Sequence, residues 1–173
     1  MTTIIAATNR PDSYTIKLSE SYKKMLDEHG HPADILSLTD LPDNTLHNHM
    51  YSAPEPAFRM FQDRILASGK FIFIVPEYNG SFPGVLKVFI DACQYPDSFS
   101  GKKAALVGLS SGRYGNIRGI DHLSGICHYL NMHILPLRIH IPSIRKEFDE
   151  EGRLFREDTL KYTRQQVRQF VEF

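Results

Sequence analysis

Three short segments of the chain carry the side chains best suited to chemistry. The first, Thr8-Asn9-Arg10-Pro11-Asp12-Ser13 with Thr15 just beyond, sets hydroxyls and a guanidinium against the start of a helix. Free backbone N–H groups at the positive end of a helix, together with such side chains, suit a terminal phosphate. The same residues also suit a capped helix with a solvated arginine. A Gly-x-Gly-x-x-Gly turn and a Gly-Lys-Ser/Thr P-loop are both missing, and bulky residues stand where a pyrophosphate would approach the backbone. The second segment, Pro76-Glu77-Tyr78-Asn79-Gly80-Ser81-Phe82-Pro83-Gly84, offers a flat aromatic, an amide and two glycines. A planar heterocycle could lie there with its polar edge on backbone amides, although Asn-Gly and Pro-Gly are also ordinary turn chemistry. The third, Ser110-Ser111-Gly112-Arg113-Tyr114-Gly115-Asn116, suits a second wall of one pocket.

These segments need strands and helices to bring them together. Thr2 to Ala7 is a short, β-branched run ending in a polar turn, and reads as a buried strand. Ser13 is a candidate N-cap for a helix with Leu18, Tyr22, Met25 and Leu26 on one face and Gly30 beyond its end. Ala33 to Leu38 gives a second strand, and 39–57 is a long aperiodic segment. Phe58, Phe61, Ile65 and Leu66 mark a helix. Lys70 to Val75 and Ala104 to Leu109 are continuous apolar strands, the pattern of parallel sheets covered on both faces. A helix opens after Pro83, another is expected to be capped by Asn116, a weaker strand runs from Met132 to Leu137, and a final helix buries Leu160, Thr163, Val167 and Phe170. Strands alternating with helices predict an α/β chain: a flavodoxin-like three-layer sandwich with a five-stranded parallel sheet of order 2-1-3-4-5, as one domain over residues 1–173. In that order ligands sit outside the carboxyl ends of the strands, between strands one and three, where all three segments would meet.

Composition narrows the partners. The chain has 173 residues, with 20 Lys plus Arg against 20 Asp plus Glu, 42% hydrophobic and 23% charged. A chain of zero net charge has no general attraction to nucleic acid or an anionic membrane surface. The start of the chain has neither a basic nor an apolar region of a secretory signal, and no apolar run is long enough to span a bilayer. Two cysteines without a Cys-x-x-Cys give no disulfide or metal framework, so the cytoplasm is the expected compartment.

The three loops together resemble the NADPH-dependent FMN reductase family, flavodoxin-like quinone, azo-dye and chromate reductases, over nearly the whole chain. Ala7-Thr8-Asn9-Arg10-Pro11-Asp12-Ser13-Tyr14-Thr15 resembles that family's Gly-Ser-x-Arg-x-x-Ser-x-Asn phosphate loop, with Ala7 for Gly and Thr15 for Asn. The resemblance implies that Thr8, Arg10 and Ser13, with Tyr14 and Thr15 beside them, hold the FMN phosphate. Arg10 is then expected to be the only full positive charge near it. Pro76, Glu77, Tyr78, Asn79 and Gly80, followed by Pro83-Gly84-x-Leu86-Lys87, resemble the family's isoalloxazine loop. Ser110, Ser111 and Gly112 resemble its third flavin loop, and Asp91-Ala92 stands where Asp-Trp is frequent. The implied activity is transfer of hydride from NADPH or NADH through bound FMN to a small acceptor such as a quinone, azo compound, metal oxyanion or free flavin. A homodimer or homotetramer is implied as well. Backbone N–H groups of Tyr78, Asn79 and Gly80 would stabilise charge on the pyrimidine edge, so no catalytic side chain is expected.

Other residues point elsewhere only weakly. His47 and His49 have no third ligand at a recognisable spacing, and His122 and His128 are too far apart on their helix to share a face. No metal site is expected. Cys127 falls on an apolar stripe and Cys93 lacks an activating neighbour, so neither reads as a nucleophile. The competing reading keeps the flavin but drops the nicotinamide: an FMN-binding electron carrier.

Overall fold

The computed structural model of the chain describes residues 1–43, 45 and 56–173. The possible histidine pair His47 and His49 lies outside the described residues. Five parallel strands run in the order β2 (Ala33–Ser37), β1 (Thr2–Ala6), β3 (Lys70–Pro76), β4 (Lys103–Leu109) and β5 (His133–Ile134). Thr2 stands beside Ala33 on one side and Lys70 on the other, and Lys70 in turn beside Lys103. The apolar runs of β1, β3 and β4 are buried throughout because both faces of the sheet are covered. Successive side chains point to opposite layers. Ile5, Phe71, Phe73 and Val75 pack with α2 (Pro56–Ala67), α3 (Gly84–Ala92) and α4 (Ile117–Tyr129). Ile4, Ile72 and Ile74 pack with α1 (Tyr14–Asp27) and α5 (Glu157–Glu172). The chain moves one way from β1 to β2 and the other way from β2 onward. Right-handed crossovers therefore put α1 on one face and the next three helices on the opposite face.

Three sequence expectations need correction. The fifth strand is not one run from 132 to 137. It breaks after Ile134, and β6 (Ile139–Ile141) resumes alongside the carboxyl half of β4, making six strands. Pro136 has no N–H to give to a ladder, and the buried Gln166 of α5 fills the gap. Its amide donates to Leu106 O at 3.1 Å and to Leu137 O at 2.8 Å, while its Oε1 accepts from Tyr22 Oη–H at 2.8 Å. Asn116 precedes α4 but makes no capping bond with its side chain. Its Nδ2 donates instead to Val75 O at 2.9 Å, tying α4 to the end of β3. In α2, Gln62 rather than Leu66 takes the fourth inward position, bonded to Ser98 Oγ and the backbone N–H of Gln94.

Candidate functional site

The carboxyl ends of β1, β3 and β4 open onto one cleft of about 330 Å³. Ser13 caps α1, accepting from the backbone N–H of Ile16 at 3.4 Å, so the first turn of that helix faces the cleft with N–H groups that no preceding turn can satisfy. Thr8 is fully buried, and its hydroxyl braces the loop: it accepts from the Arg10 backbone N–H at 3.2 Å and shares a hydrogen bond of 2.9 Å with Tyr78 Oη. That bond joins the first loop to the second across 70 positions of sequence.

The second loop is a tight hairpin. Tyr78 and Ser81 exchange both backbone hydrogen bonds, at 2.9 and 3.0 Å, around Asn79 at φ 52° and Gly80 at φ 75°. Positive φ at both central positions is the geometry that Asn-Gly favours. The Tyr78 N–H is therefore spent within the hairpin, contrary to expectation, and only those of Asn79 and Gly80 find no acceptor among the described residues. Helix α4 carries this hairpin from below. Ser81 Oγ is 2.9 Å from His122 Nδ1, and Gly119 lies so close that a Cβ there would stand 2.7 Å from the Ser81 carbonyl carbon.

In the third loop Ser110 holds the backbone together. Its hydroxyl donates to Gly112 O and accepts from the Gly115 N–H, both at 2.9 Å. Its backbone N–H donates to Ile141 O at 3.0 Å and its carbonyl accepts from Ile144 N–H at 2.9 Å.

Of the sequence-predicted residues, Thr8, Arg10, Ser13, Tyr14, Thr15, Pro76, Glu77, Tyr78, Ser110 and Ser111 line the cleft together. Asn79, Gly80 and Gly112 do not. Asn79 and Gly80 form the tip of the hairpin, beyond the lining of this opening, and Gly112 O is occupied by Ser110 and Ser143. Asp12, Leu109, Ile144 and Arg145 line the cleft without having been expected. Arg10 is thus not the only guanidinium there. Arg145 sits on a one-turn 3₁₀ helix, Ile144–Lys146, that the topology brings back over the third loop, and no local pattern marks it.

Tyr78 also borders a second cavity of about 610 Å³ between the β2–α2 connection and the start of α3, with Asn9, Leu38, Leu41, Val85 and Val88 among its walls. Both thiols are closed off. Burial pushes Cys127 up to about 12 and Cys93 well above the ordinary thiol range. No cluster of three or more His, Cys, Asp or Glu residues could hold a metal ion among the described residues.

A parallel sheet of order 2-1-3-4-5 with a helix N-terminus and two Gly-containing loops at the carboxyl ends of its strands defines a flavodoxin-like fold. Flavoenzyme NAD(P)H:(acceptor) oxidoreductase FerB from Paracoccus denitrificans superposes with a TM-score of 0.83, covering 99% of this chain and 94% of that one at 24% identity. A flavodoxin from Streptococcus pneumoniae also shares the fold, with a TM-score of 0.64 over 99% and 97% of the two chains at 12% identity. Residues 2–144 match the model of the NADPH-dependent FMN reductase family, and the chain belongs to that family of FMN- and NAD(P)H-using oxidoreductases. A relative from Pseudomonas aeruginosa, NAD(P)H-dependent FMN reductase PA1204, is 36% identical over 141 residues, 79% of this chain and 76% of its own. A 2-hydroxy-1,4-benzoquinone reductase from a Burkholderia species is 29% identical over 166 residues, 92% and 87% of the two chains. Among the described residues no helix is long and apolar enough to cross a membrane.

Proposed function

We propose that residues 1–173 form one FMN-binding domain that passes hydride from NADPH or NADH to a small acceptor of the quinone class, with azo compounds, metal oxyanions and free flavin as further candidates. The observation that carries this reading is the meeting, in one cleft, of the capped α1 N-terminus, two arginines and the wall formed by Tyr78. Donors and charges of that kind fit a phosphate monoester. The N–H groups of Asn79 and Gly80, which lack an acceptor among the described residues, fit the oxygen-rich edge of a flavin ring.

Bound FMN would supply the redox chemistry, accepting hydride from a nicotinamide and donating it to the acceptor. The chain's own residues do the rest. Arg10, Ser13 and the first turn of α1 would hold the phosphate, with Ser111 in the same lining. Thr8 fixes the Tyr78 ring through its hydroxyl. The closed hairpin fixes the Asn79 and Gly80 N–H groups, so that negative charge on a ring edge reaching them would meet preorganised dipoles. The second cavity beyond Tyr78, with Leu38, Leu41, Val85 and Val88 beside polar groups such as Asn9 and Thr39 in its walls, is a suitable berth for a flat acceptor. A cytoplasmic homodimer or homotetramer completes the reading, supported by two free thiols and by exposed Tyr95, Tyr114, Ile117 and Tyr129.

The test is an absorbance spectrum of the FMN-reconstituted protein before and after NADPH or NADH is added without oxygen. Bleaching of the flavin bands is expected. A bound flavin that neither nicotinamide reduces would replace the reductase with the electron carrier.

A further inference from the structure

The cleft holds more charge than the phosphate loop alone supplies, and the balance of that charge is informative. Four ionisable side chains of full charge line it: Arg10 and Arg145, Asp12 and Glu77. Neither guanidinium forms an ion pair or a hydrogen bond with a side chain or backbone carbonyl among the described residues, although Asp12 and Glu77 share the cleft with them. Without Arg145 the walls would carry one cation against two carboxylates, a poor place for a phosphate monoester of charge about −1.5 to −2 at neutral pH. With it the side chains balance, and the positive end of α1 tips the cleft toward an anion.

The position of Arg145 is well defined. Ile144 is buried, its N–H donates to Ser110 O at 2.9 Å, the Ser143 N–H donates to Gly112 O at 2.7 Å, and the Lys146 N–H closes the turn on Ser143 O at 2.8 Å. The turn is thus fastened to the third loop by two backbone bonds and one apolar anchor. Its exposed arginine side chain extends from a fixed base at the cleft rim.

Resting on the reading of the cleft as a flavin-phosphate site, we infer that Arg145 is the second cation of a phosphate-monoester subsite. It lines the same cleft as Arg10 and compensates the charge of Asp12 and Glu77. Two ligands of the reaction offer that chemistry, the 5′-phosphate of FMN and the 2′-phosphate of NADPH.

The experiment compares parent, Arg145→Gln, Arg145→Lys and Asp12→Asn proteins. Dissociation constants for FMN and riboflavin are measured by quenching of flavin fluorescence, and KM for NADPH and NADH on the FMN-loaded proteins. Arg145→Gln is expected to weaken FMN about tenfold while leaving riboflavin and the NADPH-to-NADH ratio in place. Arg145→Lys should recover part of the loss, and Asp12→Asn should tighten FMN. More salt should narrow the difference between parent and Arg145→Gln. If FMN binding is unchanged and KM rises for NADPH but not NADH, the same cation serves the 2′-phosphate. Equal loss of FMN and riboflavin, or no change in any of the four constants, overturns the inference while leaving flavin binding by the parent intact. A parent that binds neither FMN nor riboflavin sinks the flavin reading and takes this inference with it.

Discussion

Helix α4 contains two glycines whose replacement by alanine should act in opposite directions. Alanine is the better helix former by about 0.8–1 kcal/mol. At Gly125 a new Cβ would meet nothing within 4 Å. Gly125→Ala should therefore keep the whole propensity gain and raise Tm by about 2–4 °C in a domain of this size. At Gly119 the same methyl group would stand 2.1 Å from Asn116 Oδ1 and 2.7 Å from the Ser81 carbonyl carbon. Neither neighbour can step aside cheaply, because the Asn116 amide is bonded to Val75 O and Ser81 is backbone within a closed hairpin. Overpacking of this kind costs about 1–3 kcal/mol. Near the upper end, after the propensity gain, it leaves a net loss of about 1–2 kcal/mol, or a Tm lower by about 2–8 °C. The strain falls on the hairpin that presents the Asn79 and Gly80 N–H groups. Gly119→Ala should accordingly weaken FMN and riboflavin to the same extent, unlike a change at the phosphate end. Thermal unfolding followed by circular dichroism, with flavin titrations on the same samples, checks both parts. A Gly119→Ala protein as stable as the parent would refute the close approach of α4 to the hairpin. A destabilised one with unchanged flavin affinity would refute the coupling between them.

Arg10→Ala should weaken FMN about tenfold or more while sparing riboflavin, since a hydrogen bond to a charged group contributes about 1.5–3 kcal/mol and each decade of affinity is about 1.4 kcal/mol; parallel fluorescence titrations decide it, and equal losses would move the phosphate elsewhere. Gln166→Leu should remove the partners of Tyr22 Oη, Leu106 O and Leu137 O at one stroke. At about 1–3 kcal/mol for a buried group left unsatisfied, urea unfolding should show a loss of about 3 kcal/mol or more, and a loss under 1 kcal/mol would mean that water replaces the amide.

Much of this arrangement could be read from the sequence because the strands announce themselves. Runs such as Phe71-Ile72-Phe73-Ile74-Val75 are apolar on both faces, which only a covered parallel sheet satisfies, and the order of the sheet then places three loops together. The broken fifth strand was harder. Its halves are two and three residues long, and what makes the gap tolerable is a glutamine about 30 positions downstream. The site divides in the same way. Loop membership follows from adjacency to a strand end, so ten of the thirteen expected residues line the cleft. Whether a polar group is available to a ligand depends on contacts distant in sequence: Thr8 is engaged by Tyr78, and Ser110 supports its own loop and the returning chain. Asn116 shows the limit of capping statistics, because a side chain of the right type donates to Val75 O through Nδ2 while its Oδ1, the atom a cap would use, is buried without a partner among the described residues. Arg145 had no local signal at all, being brought to the cleft by the turn after β6.

The interrupted fifth strand also bears on what the sheet does at its margins. An open parallel sheet ends in unpaired N–H and C=O groups that invite a strand from another molecule. On one margin the break leaves segments of two and three residues separated by 135–138, which includes Pro136, too short and too offset to template an incoming strand. On the other margin, Lys23 donates to Ala33 O and Arg64 to Ile35 O, so two carbonyls of β2 are already occupied by cationic side chains, and Asp34 adds an exposed charge between them. Both margins thus discourage edge-to-edge aggregation, and copies of this chain would have to associate through helix faces and loops instead of by extending the sheet.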